Sequence, residues 1–146
     1  MTLRAIHNLQ YLIRVTAAFL LLITGLAGCG SDSGRAGYTS QQQTIDGMTI
    51  TLERPQQIAI LQDVEYIVTL ADASGTRQDG ATVYLEQDMP TMKMGSNQPL
   101  GEPLGHGQYR LKNAFTMDGT WVVVIHATVA GKDYAASFDQ LVTPQQ

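Results

Sequence analysis

The stretch "TWVVVIHATV", residues 120–129, decides the fold class of this chain. It is rich in β-branched and aromatic residues, which favour an extended strand. The unbroken apolar run "WVVVI" predicts a central strand that is buried on both faces, with Trp121 as a core anchor. By alternation His126 shares a face with Val122 and Val124, so we expect a half-buried strand histidine rather than a ligand.

Runs of alternating apolar and polar residues continue on both sides of this stretch. Turn sequences separate these runs, among them "ASGTRQDG", "MDG" and "AGKD". The sequence shows no long apolar stripe with the 3.6-residue period of a helix. Six or seven short strands with short turns predict one all-β domain, an antiparallel β-sandwich over residues 45–142, followed by a tail at 143–146.

The first 28 residues have the pattern of a secretory signal. Arg4 and Arg14 are their only charged residues, and an apolar run from Val15 to Leu26 follows. The run ends in "LAGCG", which resembles a bacterial lipoprotein box. This resemblance implies cleavage before Cys29 and acylation of its sulfur, and two or three acyl chains anchor a protein stably. The alternatives are an ordinary buried cysteine or a cleaved signal without lipid.

We therefore expect a domain outside the cytoplasm whose first partner is a lipid bilayer, reached through Cys29. Gly30, where an Asp would signal inner-membrane retention, favours the outer membrane in a host with two membranes. Small and polar residues dominate the next stretch, which predicts a flexible tether over residues 29–44. Loss of residues 1–28 would change the formal net charge from −4 to −6, because it removes two arginines. An acidic domain of this kind is atypical of nucleic-acid binding.

The segment "MPTMKMGSNQPLGEPLGHG", residues 89–107, carries most of the functional argument. Met89, Met92 and Met94 fall within six residues of it. Thioethers select soft ions, Cu(I) above all, and bind without losing a proton. If this part of the segment is extended, Met92 and Met94 point to the same side. The sequence therefore predicts a Cu(I) site built on these two residues, whereas packing under a loop is the alternative for any single methionine.

Three further residues are candidate ligands. Met89 begins the segment, and His106 lies between two glycines that favour an exposed position. Met117 precedes the turn ahead of the long strand. Counting strands up and down puts residues 89–107 and that turn at opposite ends of the sandwich. Met117 can therefore join the site only if the long segment crosses the sandwich once more, for example through a short strand at "TMKM".

The run "YLEQDMPTMKMG", followed by "GHGQYRLKNAFTMDGTWVVVI" and a final hairpin, resembles the YtkA-like domain, which is related to the FixH-like proteins. The matching positions lie between about residues 60 and 142, and they include Met89-Pro90, Met94-Gly95 and the Met117–Trp121 stretch. The resemblance implies an immunoglobulin-like sandwich in an exported or membrane-attached protein. It also implies a link to copper supply for respiratory oxidases or to metal transport.

Two functions compete on these grounds. The first is a lipid-anchored module that binds or delivers Cu(I), with a copper-transport or oxidase-assembly protein as a partner. The second is a non-metal interaction module that presents residues 89–107 to such a partner. An enzyme is not expected, because Ser137, Asp139 and the histidines have no spacing typical of nucleophilic catalysis.

Overall fold

The computed structural model describes residues 35–92 and 97–145, which form two antiparallel β-sheets. In these two ranges no helix has the length and hydropathy that crossing a bilayer requires. The prediction of an all-β, immunoglobulin-like sandwich is confirmed, with eight strands where about seven were expected. The strands are β1 (Tyr38–Ile45), β2 (Met48–Pro55), β3 (Asp63–Ala71), β4 (Thr82–Asp88), β5 (Glu102–Gly105), β6 (Gln108–Ala114), β7 (Gly119–Val129) and β8 (Lys132–Val142).

The strands are arranged in the orders β1-β2-β3-β6-β5 and β4-β7-β8. Two-residue turns close three of the hairpins. Their residues all have positive φ, as the type I′ turn requires, and the twist of that turn matches the twist of the strands. The turns are Asp46-Gly47 (φ 50° and 82°), His106-Gly107 (φ 55° and 68°) and Ala130-Gly131 (φ 49° and 81°).

Strand β7 lies at the centre of the smaller sheet, and its inward side chains fill the core. Trp121 is a buried core residue, as predicted. The prediction that both faces of this strand are buried is wrong, because Val122, Val124 and His126 are half-buried on the outer face. An antiparallel sheet needs to pack only one face, so a continuous apolar run does not by itself mean two covered faces. His126 is a half-buried strand residue, as expected.

Strand β1 occupies residues that the sequence assigned to the tether. It pairs with β2 over its whole length, from Tyr38 opposite Pro55 to Ile45 opposite Met48. Most of its side chains are exposed. Backbone hydrogen bonds to β2 therefore hold β1 in place. Its sequence lacks the apolar alternation that would have predicted a strand. Strand β8 ends at Val142, and Thr143, the first residue of the predicted tail, forms an isolated bridge with Ala59. The predicted signal and Cys29 lie outside the described residues.

Side chains close the gap between β1 and β8, the edge strands on one side of the sandwich. The side-chain amide of Gln43 donates to the Ser137 carbonyl and accepts from the Ser137 N–H, so it imitates a neighbouring strand. Arg54 is nearly buried and donates to the Asp139 carbonyl at 2.7 Å and to the Gln140 side chain. Burial lowers the pKa of Arg54. These contacts satisfy edge groups that would otherwise be free to pair with another chain.

The sandwich has two ends that must be distinguished. Strands β1, β3 and β7 begin at one of them, where β4 and β6 end, and we call it the Tyr38 end. Two contacts between the sheets show this alignment: Asn113 donates to Gln87, and Phe115 packs edge-on against Trp121. The opposite end, where β5 turns into β6, is the His106 end.

Replacement of two buried tyrosines measures how much one hydroxyl group stabilises the connection between β3 and β4. The buried Tyr109 hydroxyl donates to the Gln78 carbonyl at 2.9 Å and accepts from the Ala81 N–H at 2.9 Å. The Tyr66 hydroxyl is equally buried but makes no hydrogen bond to another described residue. We expect Tyr109→Phe to lower the free energy of unfolding by about 1–3 kcal/mol, because it leaves two backbone groups unpaired. Tyr66→Phe should cost much less. Urea unfolding of both variants measures the difference, and equal losses would contradict this account.

Candidate metal site

Met89 and Met92 face each other across a tight turn at the Tyr38 end. Strand β4 ends at Asp88, and the Met92 N–H then donates to the Met89 carbonyl at 2.9 Å. Pro90 occupies the second position of this turn, where its fixed φ is favourable. The Asp88 carboxylate accepts from the Met89 N–H at 2.9 Å. The turn therefore holds the backbones of both methionines beside the end of β4.

The two methionines differ in exposure. Met89 is 8% exposed and belongs to the core, and its Cε lies 3.4 Å from the position that a Cβ on Gly119 would take. Met92 is 54% exposed. The Met92 side chain is therefore largely accessible to solvent, whereas Met89 packs at the start of β7 and could reach a ligand only by rotating its flexible side chain.

Met117 lies at the same end. It precedes β7, whose start is paired with the end of β4, where Asp88 stands opposite Val122. Its side chain packs partly buried against the core. Its carbonyl accepts a hydrogen bond from Trp121 Nε1 at 3.1 Å. Met89 and Met92, from one segment, and Met117, from another, thus lie at the same end of the sandwich.

The long segment does cross the sandwich, which was the condition for Met117 to join the others. The described crossing uses residues 97–105. Residues 97–101 follow β4 in the opposite direction, where Leu85 N–H donates to the Pro99 carbonyl at 3.1 Å and Gly101 N–H to the Val83 carbonyl at 2.7 Å. Strand β5 then joins the other sheet. The segment therefore starts at the Tyr38 end and finishes at the His106 end.

His106 does not share a site with these methionines. It is an exposed turn residue with a φ of 55° between β5 and β6. Strand β6 is seven residues long, so the ends of the sandwich lie about 20 Å apart. His106 therefore lies far from Met89, Met92 and Met117, and its predicted role as a ligand stays a prediction. Strand counting misplaced this residue because it treated residues 89–107 as a single loop at one end.

Met94 lies outside the described residues, so the predicted pairing of Met92 with Met94 stays a prediction. Within residues 35–92 and 97–145, no group of three or more His, Cys, Asp or Glu residues lies together. The candidate donors at the Tyr38 end are thioethers, whose softness fits Cu(I) better than a hard ion.

Three exposed carboxylates accompany the methionines at the Tyr38 end. Asp88 immediately precedes Met89, Asp118 immediately follows Met117, and Asp63 begins β3 at the same end. Their negative charge favours the approach of a cation. The sequence analysis did not single out these carboxylates, although Asp88 and Asp118 are adjacent to two of the methionines in the sequence.

His126 takes part in a separate cluster on the outer face of the smaller sheet. Its ring stacks on Tyr84 with centroids 4.5 Å apart, and its Nε2 lies 3.2 Å from Glu86 Oε2. Register places these residues together, because Tyr84 stands opposite His126. The sequence alone offered no signal for this pairing, since register between strands far apart in the chain is not readable from alternation.

A comparison with protein-family models gives one match. The family described as YtkA-like matches residues 42–126, which is more than half of the chain. This range includes β4, the turn of Met89 and Met92, the crossing segment and most of β7. A comparison with curated proteins gives no match.

Proposed function

Because the chain belongs to the YtkA-like family, we propose that it is an extracytoplasmic accessory domain that binds or delivers Cu(I) from a lipid anchor at Cys29. One observation carries the metal part of this proposal. Three thioethers from two distant segments, those of Met89, Met92 and Met117, share the Tyr38 end of the sandwich. One of them, Met92, is open to solvent.

The chemistry of these donors suits transfer better than storage. Thioethers bind Cu(I) without releasing a proton, so acid does not compete with the ion. Met92 is the donor that an arriving ion meets first, and Met89 and Met117 can follow by side-chain rotation. The carboxylates of Asp88 and Asp118 raise the local concentration of cations. Few donors and high exposure favour an ion that leaves as readily as it arrives.

A Cu(I) titration of the full chain under anaerobic conditions tests this proposal. We expect the double variant Met92→Leu/Met117→Leu to weaken Cu(I) binding by at least about tenfold, because it removes two sulfurs while keeping similar volume. Met48→Leu is the matched control, since Met48 is a buried core methionine at the His106 end. It should bind Cu(I) like the natural chain.

His106→Ala adds a second control, because this residue lies at the far end and should not change Cu(I) affinity. Near-ultraviolet circular dichroism of the buried Trp121 reports whether each variant keeps its packing. Unchanged Cu(I) affinity in a folded Met92→Leu/Met117→Leu variant would remove these methionines from the site.

The alternative is a non-metal interaction module accessory to a transport or oxidase-assembly system. The crossing segment favours it through two exposed leucines, Leu100 and Leu104. Replacement of both by serine should weaken binding of such a partner and leave Cu(I) affinity unchanged. The leucine variants of the methionines should have the reverse effect, because they keep an apolar surface.

A further inference from the structure

Exposed apolar side chains gather at the Tyr38 end. Among the described residues five large apolar side chains are exposed, and three of these lie there: Leu61 at 68%, Met92 at 54% and Leu141 at 64%. The Leu61 N–H donates to the carbonyl of Phe115, just after β6, at 2.8 Å. Leu141 stands opposite Thr120 at the start of β7. The three residues come from separate segments and lie at the same end of the domain.

Leu61 adopts a backbone conformation that its exposed side chain does not explain. Its φ is 58°, in the left-handed region that costs an L-residue about 1–2 kcal/mol. Glycine or asparagine would meet this requirement at lower cost. Burial in the core does not offset the strain, because the side chain is mostly exposed. A contact outside the domain would give this leucine a role.

The chain enters the domain at the same end. Arg35, the first described residue, forms an ion pair with Glu65 at 2.8 Å and stacks over the ring of Tyr38 at 4.5 Å. The sequence before it contains the apolar run 15–26 and Cys29. An anchor at Cys29 would lie within about 30 Å of Tyr38 even with the intervening chain fully extended. Attachment to a membrane would therefore hold the domain by its apolar end.

The charge of the Tyr38 end indicates which kind of lipid surface it could contact. Asp63, Asp88 and Asp118 are exposed at this end, and carboxylates are repelled by anionic lipid. They can instead pair with the ammonium groups of zwitterionic lipids such as phosphatidylethanolamine. An end that carries both exposed apolar side chains and exposed carboxylates matches a zwitterionic interface better than an anionic one.

We propose that the Tyr38 end of the domain docks on a zwitterionic bilayer through Leu61, Met92 and Leu141. Insertion of one leucine contributes about 1.5–3 kcal/mol when it is fully buried. A short tether provides an effective concentration of about millimolar, so weak docking is enough once the chain is anchored. This inference rests on the lipid anchor of the proposed function and does not depend on its metal part, because Leu61 and Leu141 are not candidate ligands. Docking in this orientation would place the candidate metal site next to the membrane.

Tryptophan fluorescence in vesicles tests the docking. The full chain is reconstituted in vesicles of phosphatidylethanolamine and phosphatidylcholine, with or without bromine atoms on the acyl chains. Leu61→Trp and Leu141→Trp each add a reporter at the Tyr38 end, and Ala73→Trp adds one in the exposed connection after β3, at the His106 end. Native Trp121 is buried and contributes the same background to all three. We expect bromine to quench the first two reporters and not the third.

Two outcomes would overturn the proposal. Equal quenching of all three reporters would mean that the domain has no preferred orientation. Absence of quenching at positions 61 and 141 would mean that this end does not contact lipid, as when a protein partner covers it. Leu141→Trp lies on a regular strand, so it remains informative if Leu61→Trp fails to fold. Exchange of half the lipid for phosphatidylglycerol should reduce quenching, and Cu(I) titration of Leu141→Trp should match that of the natural chain.

Discussion

Replacement of Trp121 by alanine is expected to lower the free energy of unfolding by about 3–5 kcal/mol. The side chain is 1% exposed and packs edge-on against Phe115, with ring centroids 5.2 Å apart. The substitution removes the largest buried side chain of the domain and leaves a cavity between the two sheets. Because natural domains are stable by only about 5–15 kcal/mol, the variant should be close to unfolding at ambient temperature.

Replacement of Trp121 should also disturb the candidate metal site. Trp121 Nε1 donates to the Met117 carbonyl at 3.1 Å and so fixes the turn that carries one of the three thioethers. Chemical denaturation measures the loss of stability, and Trp121→Phe is the control. Trp121→Phe should lower the free energy of unfolding less than Trp121→Ala, because phenylalanine keeps an aromatic ring against Phe115. It should still cost something, because phenylalanine cannot make the hydrogen bond to Met117. A loss below about 1 kcal/mol for Trp121→Ala would mean that the core does not depend on this residue.

The strands could be predicted wherever one face is buried. Residues 64–70 and 109–113 alternate because their inward side chains fill the core, so the period of two was visible in the sequence. Strand β1 escaped prediction because it contributes few buried side chains, and its stability comes from main-chain pairing with β2. Pairing of this kind depends on backbone groups that every residue carries, so a polar strand at a sheet edge resembles a tether.

The candidate residues could be chosen from the sequence, but their positions relative to one another could not. Three of the predicted residues, Met89, Met92 and Met117, lie at one end, whereas His106 lies at the other. The difference comes from one connection, residues 97–105, which runs the length of the sandwich. Its hydrogen bonds join it to β4 and β6. Proline and glycine residues interrupt the apolar–polar alternation of this segment, so its extended path could not be predicted from periodicity.

Replacement of Gly107 by alanine is expected to cost more than backbone strain alone. Gly107 has a φ of 68°. A Cβ there would lie 2.8 Å from the Leu70 carbonyl oxygen and 2.9 Å from the Gln78 nitrogen. Both are backbone atoms that also hydrogen-bond each other at 3.0 Å, so neither can move without breaking the pairing between β3 and its following loop. We expect a loss of about 3 kcal/mol or more, measured by urea unfolding.

Gly105→Ala is the matched control for Gly107→Ala, because both residues belong to the same hairpin. Gly105 also has a positive φ, of 85°, but a Cβ on it would meet no atom within 4 Å. Its replacement should cost about 1–2 kcal/mol, the strain of the left-handed conformation alone. The excess for Gly107 then measures the close approach of the β5–β6 turn to the end of β3. Equal losses of stability for the two variants would mean that the backbone around Gly107 can shift to accommodate a methyl group. The close approach to Leu70 would then not fix the position of the His106 turn.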